Sequence, residues 1–181
     1  SPRSIIIEKC IIPVSRDKKI PFAMMIGVKK LVNPDLRLAG DSVGKGDINT
    51  LEYLCSKYPD NKFMVTMLSR ENQHELCVVA RKFKNVLVFG CWWFLNNPVL
   101  IEEITRMRLE LLGSGFIPQH SDCRVLDQMI YKWDHSKKII ENVRLDKYSD
   151  ILKTGWIIDE SEIKRDINKL FGENFWRFIN A

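Results

Sequence analysis

The sequence predicts an α/β protein built on a parallel sheet with helices over both faces. Two observations predict it. Four short apolar runs, at 21–28, 63–68, 86–90 and 116–117, lack helical spacing, whereas the stretches between them carry apolar residues at three- and four-residue intervals. The two kinds of segment alternate along the chain, and continuous apolar strands joined by helical crossovers make a parallel sheet. The chain has 181 residues, 45% hydrophobic and 28% charged, which suits one globular domain over residues 1–181. Four such units make a small doubly wound sheet or half of a (β/α)8 barrel. Both architectures keep their chemistry at the carboxyl ends of the strands.

Each element has its own signals. From Ser4 to Asp17 an amphipathic stripe (Ile5, Ile6, Cys10, Ile11, Val14) predicts a helix interrupted at Pro13. The run Pro21–Val28 predicts a strand buried on both faces, ended by Lys29-Lys30. A polar, glycine-rich stretch through Gly40–Gly46 follows, and Asp47 caps a helix with Ile48, Leu51, Leu54, Cys55 and Tyr58 on its apolar face. Phe63–Leu68 is the second strand. Ser69 is placed to cap the next helix, with Glu71 in its first turn and Leu76, Val79, Ala80 and Phe83 on one face. Val86–Gly90 is the third strand and runs into Cys91-Trp92-Trp93-Phe94. Asn97-Pro98 combines a capping side chain with proline at the first helical position; Leu100, Ile101, Ile104, Met107 and Leu111 follow, and Gly113 closes the helix. The fourth strand, from Phe116, ends in His120-Ser121-Asp122-Cys123-Arg124, where Ser121 or Asp122 could cap the long helix that begins at Val125 and continues through Val143. In the tail, Asp159 and Glu162 form a capping pair, Ile163, Ile167, Leu170 and Phe171 make an apolar stripe, and Gly172 breaks the helix before Phe175-Trp176-Arg177-Phe178.

Composition narrows the functional classes. The net charge of +5 is mild, and the basic residues are dispersed in short pairs such as Lys18-Lys19 and Lys137-Lys138, so no nucleic-acid partner is expected. The five cysteines form no C-x-x-C pair and no zinc-finger spacing, the usage of a reducing compartment. No apolar stretch reaches the roughly 18 residues of a membrane span, and no signal peptide is present; a soluble cytoplasmic protein with no membrane partner is expected. The chain opens without methionine and falls almost at once into Ile5-Ile6-Ile7, as if starting partway through something longer. Neither G-x-G-x-x-G nor G-x-x-x-x-G-K-[ST] opens any helix, which counts against a nucleotide site.

The strand ends carry the chemistry. They offer Lys29 and Lys30; Ser69, Arg70, Glu71 and Asn72; Cys91, Trp92 and Trp93; and His120, Asp122 and Arg124. Arg70 and Arg124 present the planar fork that matches a carboxylate. Trp92 and Trp93 offer a wall for a sugar-like ring, although a tryptophan at a strand end is commonly core. Asp122 among cations is suited to metal contact or proton transfer. His74 and His135 lie in helical stretches and read as surface groups.

Three stretches together, Phe22-Ala23-Met24-Met25-Ile26-Gly27-Val28-Lys29-Lys30, Phe89-Gly90-Cys91-Trp92-Trp93-Phe94 and His120-Ser121-Asp122-Cys123-Arg124, resemble the uronate (glucuronate) isomerase family of the amidohydrolase superfamily. The resemblance extends through Met67–Asn72 and Glu102–Arg108. It implies that the chain is the C-terminal half of a TIM-like (β/α)8 barrel, a parallel-stranded half-barrel holding strands five to eight, with C-terminal helices. It also implies aldose–ketose isomerisation of D-glucuronate to D-fructuronate, and of D-galacturonate to D-tagaturonate, in carbohydrate metabolism in the cytoplasm. A divalent metal, typically zinc, is implied with Asp122 as ligand and proton shuttle, its other ligands lying outside this chain. The superfamily's H-x-H is absent from this sequence, and Met25 stands where many relatives place histidine.

On this reading Asp122 opens the sugar ring and transfers hydroxyl protons. Arg124 steadies an enediolate or a tyrosinate-like base from the missing half. Arg70 and Lys30 hold the substrate carboxylate, and Trp92, Trp93 and His120 contact the sugar. The expected partners are the uronate, the missing N-terminal half-barrel and further copies in a homo-oligomer. Two alternatives stand beside it. One is a metal-dependent hydrolase of the same superfamily, in which the aspartate accepts a proton from metal-bound water. The other is an inactive half-barrel whose open sheet edges make it a structural or association module.

Overall fold

The structure is a computed structural model that describes residues 2–181, with side chains from Ser4 onward. The chain divides into two compact units, one of residues 1–88 and 176–181, the other of residues 89–175. Parallel strands and many helices confirm the mixed α/β class predicted from the sequence.

The first unit opens with α1 (Pro2–Ile6), a π-helical turn at Ile7–Ile11 and α2 (Ile12–Asp17). Pro13 does not interrupt this helix as expected. The wide turn closes with the Ile12 N–H donating to the Ile7 carbonyl, and Pro13 follows directly after it at the start of α2, so the helix runs on through the proline. Three strands form a parallel sheet: β1 (Phe22–Ile26), with β2 to β5 numbered in chain order below. Next come β2 (Val28–Lys29) and β3 (Ser42–Val43), which pair antiparallel as a small ribbon inside the glycine-rich stretch. Helix α3 (Ile48–Lys57) is capped by Asp47, whose side chain accepts from the Asn49 N–H. Strand β4 (Phe63–Met67), helix α4 (Gln73–Ala80) and strand β5 (Val86–Val88) complete the unit's core.

The sheet order is β1-β4-β5, in register Phe22 to Phe63 and Phe63 to Val86. The central β4 is buried at every residue, as its apolar run predicts. The edge strand β1 is not buried on both faces: its residues alternate between half-buried and exposed, and Met25 is 47% exposed. Below the sheet, the Asn85 side chain donates to the carbonyls of Cys55, Tyr58 and Asn61, tying the end of α3 to the entry of β5.

The second unit contains α5 (Pro98–Leu112), α6 (Leu126–Lys153) and α7 (Glu160–Asn168); α8 (Asn174–Asn180) ends the chain. Ile101 and Ile104 of α5 and Ile140 of α6 form one core cluster with Cys91 and Leu95. The capping residues read from the sequence act as predicted on α5 and α7: Asn97 accepts from the Leu100 N–H, Gly113 closes α5 at φ 59°, and Asp159 and Glu162 form a reciprocal capping box. The fourth strand is shorter than predicted. It reduces to a single parallel bridge, Phe89 to Ile117, with the Gly90 N–H donating to the Ile117 carbonyl at 2.8 Å. Gly90 turns away at φ 72°, which ends the pairing after one bridge.

Candidate active site

The second unit builds a polar corner where the fourth apolar run ends. Gly90 adopts a left-handed backbone, and a Cβ there would lie 1.9 Å from His120 Cδ2. Only glycine lets the imidazole settle against this turn. The His120 ring lies 5.1 Å from that of Phe89 and 6.4 Å from that of Trp92, centroid to centroid. Burial pushes the His120 pKa below its ordinary value, partly opposed by the Asp122 carboxylate. The ring is therefore neutral at pH 7, with one nitrogen able to accept a hydrogen bond. His120 Nε2 and Trp92 Nε1 are both buried without a hydrogen-bond partner among the described residues. Buried polar atoms are nearly always paired, so each of these two nitrogens has bonding capacity left for a water or another polar group.

Gln119, which sequence reasoning passed over, fixes this corner. Its Oε1 accepts from the Cys91 N–H at 2.9 Å and the His120 N–H at 3.1 Å. Its Nε2 donates to Asn96 Oδ1 at 2.9 Å and to Ser136 Oγ at 2.7 Å. Gln119 is 1% exposed and Ser136 is fully buried. The only local signal is an amide beside a histidine at a strand end; its partners are far away in sequence.

Beyond His120 the chain turns at Asp122, whose backbone is left-handed at φ 43°. The Asp122 carbonyl accepts from Lys132 Nζ at 3.1 Å, and its carboxylate is exposed with no partner among the described residues. The Arg124 side chain is also exposed, while its backbone N–H donates to Gln128 Oε1 at 3.0 Å. Neither Ser121 nor Asp122 caps α6. Val125 occupies the cap position without a side-chain bond, and Gln128 reaches back instead, because the left-handed turn at Asp122 carries both candidate caps out of range. Trp92 is buried, whereas Trp93 is 36% exposed and stacks on Phe94 at 4.7 Å. The two indoles are tilted by 51°, so they do not form one flat wall.

The other expected site residues, Lys30 and Arg70, belong to the first unit. Lys30 Nζ pairs with Asp41 Oδ2 at 2.6 Å, and the Leu31 N–H donates to Asp41 Oδ1 at 3.0 Å. Arg70 opens a short 3-10 turn, Arg70–Asn72, directly after β4, and is exposed. Ser69 sits at the head of that turn but does not cap it; its hydroxyl donates to the Glu71 carboxylate, which holds the Glu71 pKa below the usual range. Gln73 braces the strand end by donating to the carbonyls of Met67 and Ser69.

No group of three or more His, Cys, Asp or Glu residues among the described residues is arranged to hold a metal ion. Asp122 is an exposed oxygen donor at the corner, but these residues alone do not fit a metal centre. No helix is long and apolar enough to cross a membrane among the described residues.

Comparison with known proteins gives this corner a context. No protein-family model matches the chain, and no curated protein matches it. Among solved structures, a uronate isomerase from Bacillus halodurans C-125 superposes with a TM-score of 0.96 at 62% identity, over 100% of this chain and 43% of that one. A uronate isomerase from Thermotoga maritima superposes with a TM-score of 0.78 at 16% identity, over 93% of this chain and 39% of that one, a likeness of fold alone. The chain thus spans less than half the length of the structures it matches. With three residues in five shared along its entire length, and the backbone with them, the chain belongs to the uronate isomerase family.

Proposed function

We propose that this chain is the C-terminal half-barrel of a uronate isomerase, strands five to eight of a TIM-like barrel, and works together with the remainder of that barrel. The supporting observation is the 62% identity to a uronate isomerase over 100% of this chain. The substrates are D-glucuronate, converted to D-fructuronate, and D-galacturonate, converted to D-tagaturonate. The reaction takes a proton from C2 of the open-chain aldose, carries the electron pair through a cis-enediolate and returns a proton to C1. A hydroxyl proton moves from O2 to O1, so atoms and charge balance.

Asp122 has the exposed carboxylate for ring opening and for the hydroxyl proton transfer. Arg124 stabilises the enediolate oxygens, whose charge grows in the transition state. His120 and Trp92 supply two unpaired polar atoms for sugar hydroxyls. Trp93 covers the ring, and Arg70, with Lys30, meets the carboxylate. The C2 base comes from residues outside this chain. A divalent cation, zinc by family resemblance to the amidohydrolase superfamily, would take Asp122 as one ligand and the rest from outside the chain. The compartment proposed is the cytoplasm, and the assembly a homo-oligomer.

The test is Asp122→Asn in the complete protein, assayed for interconversion of D-glucuronate and D-fructuronate. A positioned acid–base group contributes roughly 10²–10⁴-fold, so kcat should fall by that order. Unchanged turnover would remove Asp122 from the chemistry; absence of turnover in the unsubstituted protein would remove the isomerase reading.

A further inference from the structure

The residues of the corner that meet substrate in the proposed reaction are held by a group that meets none. The Gln119 carboxamide uses all of its near-planar bonding capacity inside the second unit. Its oxygen gathers the N–H groups of Cys91 and His120, and its nitrogen reaches Asn96 and Ser136. Cys91 and Asn96 bracket the turn that carries Trp92 and Trp93, with 3-10 geometry at Trp93–Leu95. Ser136 lies on α6 one helical turn beyond Lys132, on the same face, and Lys132 Nζ holds the Asp122 carbonyl. Helix α6 thus grips the corner at two points, one on each side of His120.

We infer that Gln119, anchored by Ser136, is a positioning residue that sets the Trp92 indole and the His120 imidazole against each other for substrate. The inference rests on the isomerase reading for its kinetic consequence, but not for its structural one. Apolar replacement leaves the buried Cys91 N–H and the half-buried His120 N–H without their acceptor, a state that proteins avoid. A carboxylate replacement can satisfy the same set. It accepts from both N–H groups, the Ser136 hydroxyl can turn to donate, and the Asn96 amide can present its nitrogen.

The test compares Gln119→Leu, Gln119→Glu and Ser136→Ala in the complete protein. The readouts are KM for D-glucuronate and the Trp92 indole N–H resonance in a ¹H–¹⁵N spectrum. Loss of folded protein lowers apparent kcat and leaves KM alone, whereas displaced contact groups raise KM. Gln119→Leu is expected to raise KM about tenfold, the effect of losing about 1.4 kcal/mol of binding, and to move the indole resonance. Gln119→Glu is expected to return both toward the unsubstituted values. An unchanged KM and an unmoved indole in Gln119→Leu would overturn the inference. If that variant does not fold, Ser136→Ala decides: a moved indole and raised KM support it, and unsubstituted values for both overturn it. If the unsubstituted protein turns over no uronate, the isomerase reading fails, and the indole resonance alone decides the positioning role.

Discussion

The imidazole of His120 occupies the space where any residue but glycine at position 90 would place its Cβ, 1.9 Å from His120 Cδ2. Gly90→Ala therefore meets two penalties. The left-handed backbone, at φ 72°, costs an L-residue about 1–2 kcal/mol, and the methyl group must push the ring aside. Gly155 separates the two effects, since it too has a positive φ, 87°, with nothing within 4 Å of a Cβ. Urea denaturation should show Gly90→Ala less stable than Gly155→Ala. In the complete protein, Gly90→Ala alone should raise KM for D-glucuronate. Equal stability of the two variants would show that His120 yields without cost.

Asn97 gives a prediction that the sequence already contained. Its Oδ1 accepts from the Leu100 N–H at 3.1 Å and Pro98 occupies the first helical position. Asn97→Ala should destabilise the protein by about 1 kcal/mol, read as a lower urea midpoint with an unchanged slope. Asn97→Asp should recover most of the loss, because a carboxylate accepts the same bond at the positive end of the helix.

The contrast between Asn97 and Gln119 explains what was legible. A cap acts on an N–H three residues away, so its chemistry is written in adjacent letters. Strand β4 and the α5 face were legible for the same reason: their patterns repeat within the element. Gln119 joins residues 28 and 17 positions away, and nothing in its neighbourhood announces that. The fourth strand was legible as a place but not as a ladder, because its pairing depends on how Gly90 turns. The β2–β3 ribbon was hidden by its two-residue strands, too short for any periodicity. The left-handed turn at Asp122 follows from no propensity of aspartate strong enough to read, and it removed the expected caps from α6. The strand-end residues themselves were legible by type, and the structure brings His120 and Trp92 together within the second unit.

Asp41 makes the β2–β3 region sensitive to acid. Its side chain is 4% exposed and accepts from Lys30 Nζ and the Leu31 N–H. The Lys30 hydrogen bond, followed by that from Leu31, holds the Asp41 pKa below its ordinary value. A carboxylate whose folded pKa lies below its unfolded value of about 3.9 contributes stability that is present above that pH. The contribution fades as pH falls through the depressed folded pKa. Asp41→Asn should therefore be less stable than the unsubstituted protein at pH 7, with the gap narrowing on acidification below about pH 4. Urea denaturation at a series of pH values measures the gap; a gap that stays constant would mean that Asp41 acts through shape and not through charge.

Arg144 offers the stability prediction that reaches furthest across the second unit. Its Nη2 donates to Asp166 Oδ2 at 2.8 Å and to the Tyr148 hydroxyl, which also donates to Asp166 at 3.2 Å. Asp166 Oδ1 accepts from Ser114 Oγ at 3.2 Å, and Asn174 Nδ2 donates to the Ser114 carbonyl. The network thereby links α6, α7 and the turn after α5. The side chains of Arg144 and Asp166 are only 12% and 18% exposed, so breaking the pair leaves a largely buried carboxylate without its cation. Removing one partner of a buried pair costs about 3–5 kcal/mol, and partial exposure here lowers that toward about 2–3 kcal/mol. Arg144→Met should show this loss in urea denaturation at pH 7. The double variant Arg144→Met with Asp166→Leu should recover part of it, because apolar side chains of similar volume do not require the lost charge. The two single losses adding up in full, with no recovery, would mean that the residues act independently and that the ion pair does not hold α7 to α6.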